Sequence, residues 1–431
     1  MEKVKAFCRE HRGSLVLLGL VLLERLVLLG LLGPEYYIVS DDGAYVNAGI
    51  IFARTGTVTI HETVSAQIMP GMPVLIGLIC RLVGEGSGLW LTLKLLWIAL
   101  GTLTPWFVYR AVTVHAPKRW GLAAAGFFLL PNFAWLDNVI LTETPFLLCL
   151  AVMVYCTFQM AETQKGMYFW GTLIAYMAAL MLKANIGLFP VFAAVYLLVK
   201  KYPFRRLLRQ GIGLGCIMLC FLIPWSIRNY QLYDAFIPLT FGTGNPRLLG
   251  TYQGYGYPPD DGLDYAENVE KPAAEALAKY YDPAGSLKAE HLRKFVELET
   301  DGIKADYRLR VWWQQDPISL LVSYLIIKPA MMLANVFYWE PVFGVPRWLL
   351  IGLRCAELAL CAGAVVALLR QRRNRAEIWY LLALYGFHLY LYAMNVSFSR
   401  YGESLIVLRY ILLGLGLPAL AAWKNSIKKA P

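Results

Sequence analysis

Paired cysteines are missing from this sequence. Its eight cysteines all lie in or beside apolar segments, none belongs to a CxxC pair, and none falls in the long polar stretch that follows Tyr230. A disulfide framework or a cysteine zinc site needs regularly spaced cysteines in polar or loop sequence. We therefore expect structural free thiols, and we predict neither a disulfide framework nor a zinc site built from cysteine.

Charge is also scarce. Asp, Glu, Lys and Arg make up 16% of the 431 residues, whereas hydrophobic residues make up 58%, and the mean hydropathy is +0.51. The net charge is +11, but the basic residues stand in short clusters between apolar runs. Such clusters set the orientation of a membrane protein, so the positive charge does not indicate a nucleic-acid partner.

Long apolar runs are abundant, and several approach the length of about twenty residues that spans a bilayer. The first run, residues 14–33, is longer than the apolar region of a signal peptide and lacks a small-residue cleavage site, so we expect a retained helix. The sequence predicts an all-α integral membrane protein, with residues 1–431 forming one membrane domain. About ten spans are predicted, near residues 13–33, 88–110, 119–136, 138–160, 167–183, 184–200, 210–230, 347–370, 376–396 and 403–423.

The basic clusters give the predicted orientation. With ten spans, all of them fall on one side of the membrane, and together they hold half of the Lys and Arg residues. Because basic clusters mark the cytoplasmic side, both termini are predicted to be cytoplasmic. The clusters are the N-terminus, residues 110–119, Lys165, residues 200–209, residues 370–375 and residues 424–429.

Two further apolar stretches, residues 70–83 and 318–336, would turn neighbouring basic clusters outward if either crossed the membrane. Each carries a cation near its middle, Arg81 or Lys328, which a helix lying at the interface tolerates better than a span does. We expect both to be external interfacial helices. The external segments are then residues 34–87 and 231–346, which contain most of the acidic residues, so any chemistry is expected to be extracytoplasmic.

Residues 38–45 place two adjacent carboxylates, Asp41 and Asp42, just after the first span. Asp and Gly favour turns, so a solvated turn is one interpretation of this stretch. A second interpretation comes from ionisable residues at the outer ends of predicted spans, because cations beside carboxylates can hold a phosphate while a carboxylate acts on another group. Long cations that extend to the interface are the alternative for each one alone. These residues are Lys94, Asp137, Glu143, Lys183, Arg228, Arg354, Arg400 and Arg409.

Two other pairs of ionisable residues stand out. Glu24 and Arg25 lie near the middle of the first span, and adjacent side chains on a helix point about 100° apart, so we expect each to have partners on other helices. His61 and Glu62 lie in the first outer segment. Metal sites need three or four convergent ligands, so we favour a solvated loop over a metal site there.

Short motifs follow one another in a recognisable order along nearly the whole chain. They are Asp41-Asp42-Gly43-Ala44-Tyr45, Pro70-Gly71-Met72-Pro73, Leu141-Thr142-Glu143-Thr144-Pro145, Lys183 at a helix end, Pro224-Trp225-Ser226-Ile227-Arg228-Asn229, and Ser399-Arg400-Tyr401. This order resembles the GT-C glycosyltransferases, in particular the branch of protein O-mannosyltransferases and bacterial aminoarabinose transferases. Asp42 stands where that family usually has Glu.

The resemblance implies a GT-C-like bundle and an inverting transfer of a hexosyl or pentosyl group from a polyprenyl-phosphate donor. It implies Asp41 as the catalytic base, with Asp42 beside it and Glu143 as the second acidic residue. Lys183 would contact the lipid phosphate, and the remaining substrate contacts would be Tyr45, Arg228 and Arg400. A divalent metal ion is left open as a cofactor, with Asp42 and Glu143 as its candidate ligands. The expected partners are the lipid-linked sugar, membrane lipid, and a glycan, lipid or protein acceptor in the cell envelope.

The main alternative is a transporter or flippase of a lipid-linked saccharide, because charges inside a membrane also mark transport paths. Such proteins usually have repeated halves and a site near the midplane, whereas this sequence shows no internal repeat and its charges gather toward one face. A non-catalytic membrane scaffold is the third interpretation, and it leaves the outer charges unexplained.

Overall fold

The structure is a computed structural model that describes residues 2–371 and 374–427. Within these residues the regular secondary structure is helical except for one short antiparallel hairpin, in which β1 (Thr59–Ile60) pairs with β2 (Thr63–Val64), and an isolated bridge between Tyr281 and Leu287. The prediction of an all-α fold is confirmed. Parts of two basic clusters, residues 370–375 and 424–429, lie outside the described residues.

The helices up to the middle of the chain cover six of the predicted spans and the first outer segment. They are α1 (Glu2–Glu10), α2 (Arg12–Leu32), α3 (Asp41–Thr55), α4 (Gly71–Val83), α5 (Ser87–Thr113), α6 (Lys118–Gly126), α7 (Pro131–Leu136), α8 (Glu143–Thr163), α9 (Gly166–Leu182) and α10 (Phe189–Val199).

The second half begins with the longest helix and includes the large outer segment. Its helices are α11 (Phe204–Tyr233), α12 (Gly244–Gly250), α13 (Lys271–Leu277), α14 (Leu292–Gln315), α15 (Pro317–Val322), α16 (Lys328–Ala334), α17 (Arg347–Gln371), α18 (Arg375–Ala393), α19 (Ser399–Glu403) and α20 (Ile406–Ile427).

The protein has the helices of a multi-pass membrane protein. In the described part of the chain, seven helices are long and apolar enough to cross a bilayer: α2, α5, α8, α11, the Pro317–Ala334 helix, α17 and α20. Each of the ten predicted spans has a helical counterpart, but several counterparts are shorter or interrupted. The sidedness of the termini stays a prediction.

The predicted span at residues 119–136 is broken. Helix α6 ends at Gly126, a 3₁₀ turn follows, and α7 starts at Pro131. Leu130 is extended (φ −69°, ψ 137°), the conformation that a following proline favours. The break leaves α6 and α7 too short to span separately, and it directs the chain toward the buried turn before α8.

The apolar stretch at residues 318–336 forms α15 and α16, joined by one π-helical turn, Ser323–Ile327. Pro317–Ala334 is long and apolar enough for a span, so its interfacial placement stays a prediction. Lys328 was expected to lie at the surface, on an interfacial helix, but the structure places it in the interior. It is fully buried, donates a hydrogen bond to the Gly250 carbonyl at 3.1 Å, and lies over the Tyr324 ring.

Helices α3 and α4 cross closely in the first outer segment. A Cβ on Gly77 of α4 would collide with the Phe52 ring and with the carbonyl of Gly49 on α3. Glycine at the crossing therefore lets the two backbones approach, and this packing holds the start of α3 against the rest of the molecule.

The large outer segment packs onto the first one. Phe241, Phe295 and Tyr233 form an aromatic cluster with ring centroids 5.1–5.2 Å apart. Val58 and Ala66, which flank the hairpin, belong to the same buried cluster. The two outer segments therefore share one apolar core.

Candidate active site

Asp42 stabilises the turn that precedes α3. The side chain is fully buried, and its carboxylate accepts hydrogen bonds from the backbone N–H groups of Ile38 (2.7 Å), Ser40 (3.2 Å) and Gly43 (2.9 Å). Val39 has a φ of 53°, a strained value for a β-branched residue. The three bonds to Asp42 offset that strain and fix the direction in which α3 leaves the turn.

Asp41 is the neighbour that faces open space. It is the first residue of α3, its side chain is 47% exposed, and it lines the cavity described below. One of its oxygens, Oδ2, accepts a hydrogen bond from Arg400 Nη1 at 2.5 Å. The carboxylate is thus accessible and held by a single side-chain cation, while Asp42 is enclosed.

Glu143 is the centre of the charged cluster. It begins α8, its side chain is fully buried, and its Oε1 accepts from Lys183 Nζ and from Arg400 Nε, both at 2.7 Å. A buried carboxylate needs such partners, since an unpaired charge in the interior is very costly. Glu143 therefore draws two cations from distant parts of the chain to one point.

Lys183 reaches Glu143 because the chain bends at the end of α9. Lys183 is extended (φ −144°, ψ 117°), and a 3₁₀ turn, Ala184–Leu188, separates it from α10. Its ammonium group also donates to Ser404 Oγ at 2.9 Å. An ammonium has three donors, so one N–H remains for a ligand.

Arg400 lies on the short helix α19 and joins the two carboxylates. Besides Asp41 and Glu143 it contacts Thr142 Oγ1 at 3.5 Å. Burial opposes the charged form of Arg400, but the carboxylates of Glu143 and Asp41 hold its pKa well above the ordinary value. Burial also raises the pKa of the nearby Tyr45 phenol, which lies next to Arg400. Tyr45 therefore acts as a neutral hydrogen-bonding group.

A cavity of about 690 Å³ opens beside this cluster. Its volume lies in the range of ligand sites in proteins, and most of its wall is apolar. Stacked rings of Tyr392 and Tyr401 form part of the wall, with centroids 4.7 Å apart and planes 8° apart. The charged end of the cavity is lined by Asp41, Tyr45, Thr142, Glu143, Lys183 and Arg400.

Arg228 lies elsewhere. It donates hydrogen bonds to the carbonyls of Ser65 (3.0 Å) and Val58 (3.2 Å), and it stacks over Trp225. It does not line the cavity. The cation connects α11 to the first outer segment, so the structure gives it a role in packing and no contact with the charged cluster.

Other predicted outer charges are used inside the fold. Arg354 pairs with Glu403 at 2.9 Å, and Arg409 pairs with Glu357 at 2.7 Å. Lys94 donates to the Tyr36 carbonyl at 2.6 Å and to the carbonyl of Asn138. These cations hold helices together behind the cavity wall.

The pair in the first span differs from expectation. Arg25 contacts its neighbour Glu24 at 3.0 Å, although the two side chains were expected to point apart, and it also pairs with Asp137 at 2.7 Å. The long guanidinium reaches both carboxylates. The expected partner from another helical segment is present, in the turn after α7.

The two candidate metal ligands do not fit a divalent ion in this arrangement. The Asp42 oxygens accept three backbone N–H bonds, and Glu143 is bound by two cations. Carboxylates in a metal site must offer their oxygens to the ion. His61 and Glu62 are exposed in the hairpin turn, and Glu62 accepts from Asn47 at 3.3 Å.

Thr142, Tyr392 and Tyr401 are among the lining residues that were not singled out from the sequence. Thr142 and Tyr401 lie inside quoted motifs but carry no charge, so they were not recognised as contacts. Ser404, which binds Lys183, was also missed, since nothing in the sequence around α19 marks its direction.

Comparison with known proteins gives one family match. Residues 68–227, over a third of the chain, match the family model of dolichyl-phosphate-mannose-protein mannosyltransferase. The matched range contains Glu143 and Lys183 but ends before Arg400 and begins after Asp41. It confirms the resemblance predicted from the motifs. No curated protein is significantly similar to the chain.

Two crystal structures of ArnT from Cupriavidus metallidurans are distantly similar. The form bound to undecaprenyl phosphate is 16% identical, with 97% of this chain and 80% of that chain covered and a TM-score of 0.39. The apo form is also 16% identical, with coverage of 96% and 78% and a TM-score of 0.39. Similarity at this level assigns no residue a role.

Proposed function

We propose that the protein is an inverting glycosyltransferase that moves a sugar from a polyprenyl-phosphate donor to an acceptor on the extracytoplasmic side of the membrane. The observation that carries the proposal is the meeting of an accessible carboxylate, Asp41, with two cations, Lys183 and Arg400, at one end of a large cavity. The family match at residues 68–227 supports the same reaction class.

The charge that develops on the leaving group accounts for the two cations at the end of the cavity. When the bond between the anomeric carbon and the phosphate oxygen breaks, the electron pair stays with the lipid phosphate, which gains negative charge. Preorganised cations stabilise such developing charge in a site that excludes water. Lys183, with its free N–H, and Arg400 stand where they can take this role. No step of the proposed reaction requires a metal ion.

Asp41 supplies the base. As the acceptor oxygen forms its bond to the anomeric carbon, its proton passes to an Asp41 carboxylate oxygen. The ion pair with Arg400 holds the Asp41 carboxylate at the edge of the cavity, where an acceptor hydroxyl can reach it. Inversion requires the acceptor and the phosphate to lie on opposite sides of the sugar, so one carboxylate is sufficient.

Glu143 organises the site. Its buried carboxylate is bonded by two cations, and it holds Lys183 and Arg400 at equal distances of 2.7 Å. The two carboxylates and two cations together are neutral. Because Glu143 holds both cations in place, the charge that develops on the departing phosphate is met by donors that are already oriented.

Release of polyprenyl phosphate is the direct test. Purified protein is incubated with a panel of polyprenyl-phosphate sugars, hexosyl and pentosyl, in the presence of candidate glycan, lipid and protein acceptors. The expected result is release of polyprenyl phosphate from one donor, lost in Asp41→Asn. Movement of the intact donor across a vesicle membrane with no release from any donor would instead show a transporter.

A further inference from the structure

Four helix ends meet around His115, on the face of the molecule that carries the basic clusters. His115 follows the end of α5, and Glu162 lies in the last turn of α8. Lys200 caps α10, and Glu377 lies in the first turn of α18. None of these four residues lines the cavity at Asp41.

The imidazole and the two carboxylates converge. His115 Nε2 lies 3.7 Å from Glu377 Oε1, and His115 Nδ1 lies 3.9 Å from Glu162 Oε1. One ligand atom from each of the three residues lies within 4.8 Å of the other two. Imidazole nitrogen and carboxylate oxygen are both ligands of Zn²⁺ in proteins.

His115 has an unused ligand atom. Its side chain is only 9% exposed, and Nε2 is buried with no hydrogen-bond partner. Buried polar atoms normally have a partner, so an unpartnered nitrogen directed at a carboxylate points to a ligand. The ring is held in place by an edge contact with Phe158, with centroids 5.1 Å apart.

Lys200 occupies the middle of the group. Its Nζ is 2.8 Å from Glu162 Oε1 and 2.8 Å from Glu377 Oε1. The ammonium balances one of the two negative charges, and its side chain is 27% exposed. A lysine on a flexible stem can move its charge into solvent. Glu377 is also held by the Tyr196 hydroxyl at 3.1 Å, so the carboxylate stays in place when the lysine leaves.

We propose that this group is a binding site for a divalent first-row metal ion, Zn²⁺ in particular, which exchanges with the Lys200 ammonium. The ligands are His115 Nε2 and one oxygen each from Glu162 and Glu377, and water completes the tetrahedron. A doubly charged ion neutralises both carboxylates and uses the imidazole nitrogen, whereas Lys200 does neither. The bound ion joins the ends of α5, α8 and α18, and it has no part in sugar transfer.

Zn²⁺ binding to the full-length protein in detergent, after removal of metal with a chelator, tests the site. We expect one Zn²⁺ per chain, a rise in the thermal midpoint with Zn²⁺, and visible absorption bands of a nitrogen and oxygen site when Co²⁺ is used as the probe. His115→Ala should lower Zn²⁺ affinity at least tenfold, since even the loss of an outer-sphere partner costs about 10- to 100-fold. His61→Ala, at an exposed histidine, is the matched control and should bind like the wild type.

Lys200→Met gives the decisive second measurement, because it removes the competing charge without removing a ligand. In the wild type the ion must displace the ammonium from both carboxylates, so removing that ammonium should raise Zn²⁺ affinity about tenfold. The proposal is overturned if neither the wild type nor Lys200→Met binds Zn²⁺, or if His115→Ala binds it as tightly as the wild type. It is also overturned if Lys200→Met binds Zn²⁺ more weakly than the wild type, since that would make the lysine part of the site.

Discussion

Asp41 and Asp42 are adjacent in the chain, but their carboxylates have opposite surroundings. Asp42 accepts three backbone N–H bonds inside a turn, while Asp41 faces the cavity with about half of its side chain exposed. The same residue type thus has two roles. One residue shapes the turn, and the other is available to a substrate.

Asp41→Asn should lower turnover by about 10²- to 10⁴-fold while donor affinity changes little. The amide keeps the shape of the side chain but cannot accept the proton of the acceptor. Initial rates of polyprenyl phosphate release, together with the donor dissociation constant, measure both quantities. Near-normal turnover in an active preparation would remove Asp41 as the base and direct the search to Glu143.

Asp42→Asn is the matched control for that experiment. Its amide N–H₂ would face backbone donors that now point at a carboxylate, so this change should lower the thermal midpoint of unfolding. Asp41→Asn should leave the midpoint close to that of the wild type, since its side chain is half exposed. If the Asp42 variant shows the larger loss of turnover at equal stability, the two assignments must be exchanged.

Lys183→Ala should weaken donor binding by roughly 30- to 150-fold, the equivalent of about 2–3 kcal/mol for a charged contact at a partly buried site. Equilibrium binding of a polyprenyl-phosphate sugar or of polyprenyl phosphate measures the effect. Arg228→Ala is the matched control: its guanidinium binds loop carbonyls away from the cavity, so donor affinity should stay unchanged. An unaltered dissociation constant in Lys183→Ala would exclude Lys183 from the donor site.

The sequence indicated which cations stand at the outer ends of helices, but not where each side chain points. Lys183 and Arg400 meet at Glu143 across separations of 40 and 257 residues, and no local pattern encodes such a meeting. Arg228 was chosen by the same criterion of depth and is directed toward the carbonyls of the first outer segment. The depth of a residue along a membrane span can be predicted from hydropathy, whereas the direction of its side chain depends on tertiary packing.

At the scale of elements, the short helix α19 is held in place by a buried network of charged side chains. Glu403, three residues after Arg400, accepts two bonds from Arg354, at 2.9 and 3.0 Å, and one from the Phe337 N–H at 3.3 Å. Arg354 also contacts Glu357, which pairs with Arg409. This buried network fixes α19 between α17 and α20, and Arg400 is fixed with it.

Glu403→Gln should be strongly destabilising, by about 3–5 kcal/mol, because it leaves the buried Arg354 with less charge compensation. Thermal unfolding in detergent should show a lower midpoint, and donor affinity should fall because Arg400 is less well held. Glu85→Gln is the matched control. It breaks an exposed pair with Arg54 and should cost no more than about 1 kcal/mol. Equal shifts for the two variants would contradict a role for the network.

Helix existence was more predictable than helix continuity. Each apolar run predicted as a span has a helical counterpart, but the break at Pro131 was overlooked because the residues on both sides of it are apolar. The bend at Lys183 was recognised only as a helix end. In both places the backbone leaves the α-helix in order to bring a polar side chain inward, which hydropathy alone does not reveal.

At the scale of the whole molecule, charge is distributed in two layers. The candidate active site and the shared core of the two outer segments lie together at one end, and the His115 group lies among the basic clusters at the other. The sequence predicted this arrangement from the positions of its Lys and Arg residues. The rule that basic clusters face the cytoplasm predicts the orientation of the protein in the membrane.

That orientation predicts that the large outer segment is extracytoplasmic. Asp261 is exposed in it and adjoins Asp260, which pairs with Arg308, so Asp261→Cys alters the surface without breaking the pair. In a cysteine-free background and in intact cells, this cysteine should react with a membrane-impermeant thiol reagent. Lys165→Cys, at an exposed basic residue on the other face, should react only after lysis. The reverse labelling pattern would show the opposite orientation in the membrane. The charged cluster at Asp41 would then act on substrates from the cytoplasm.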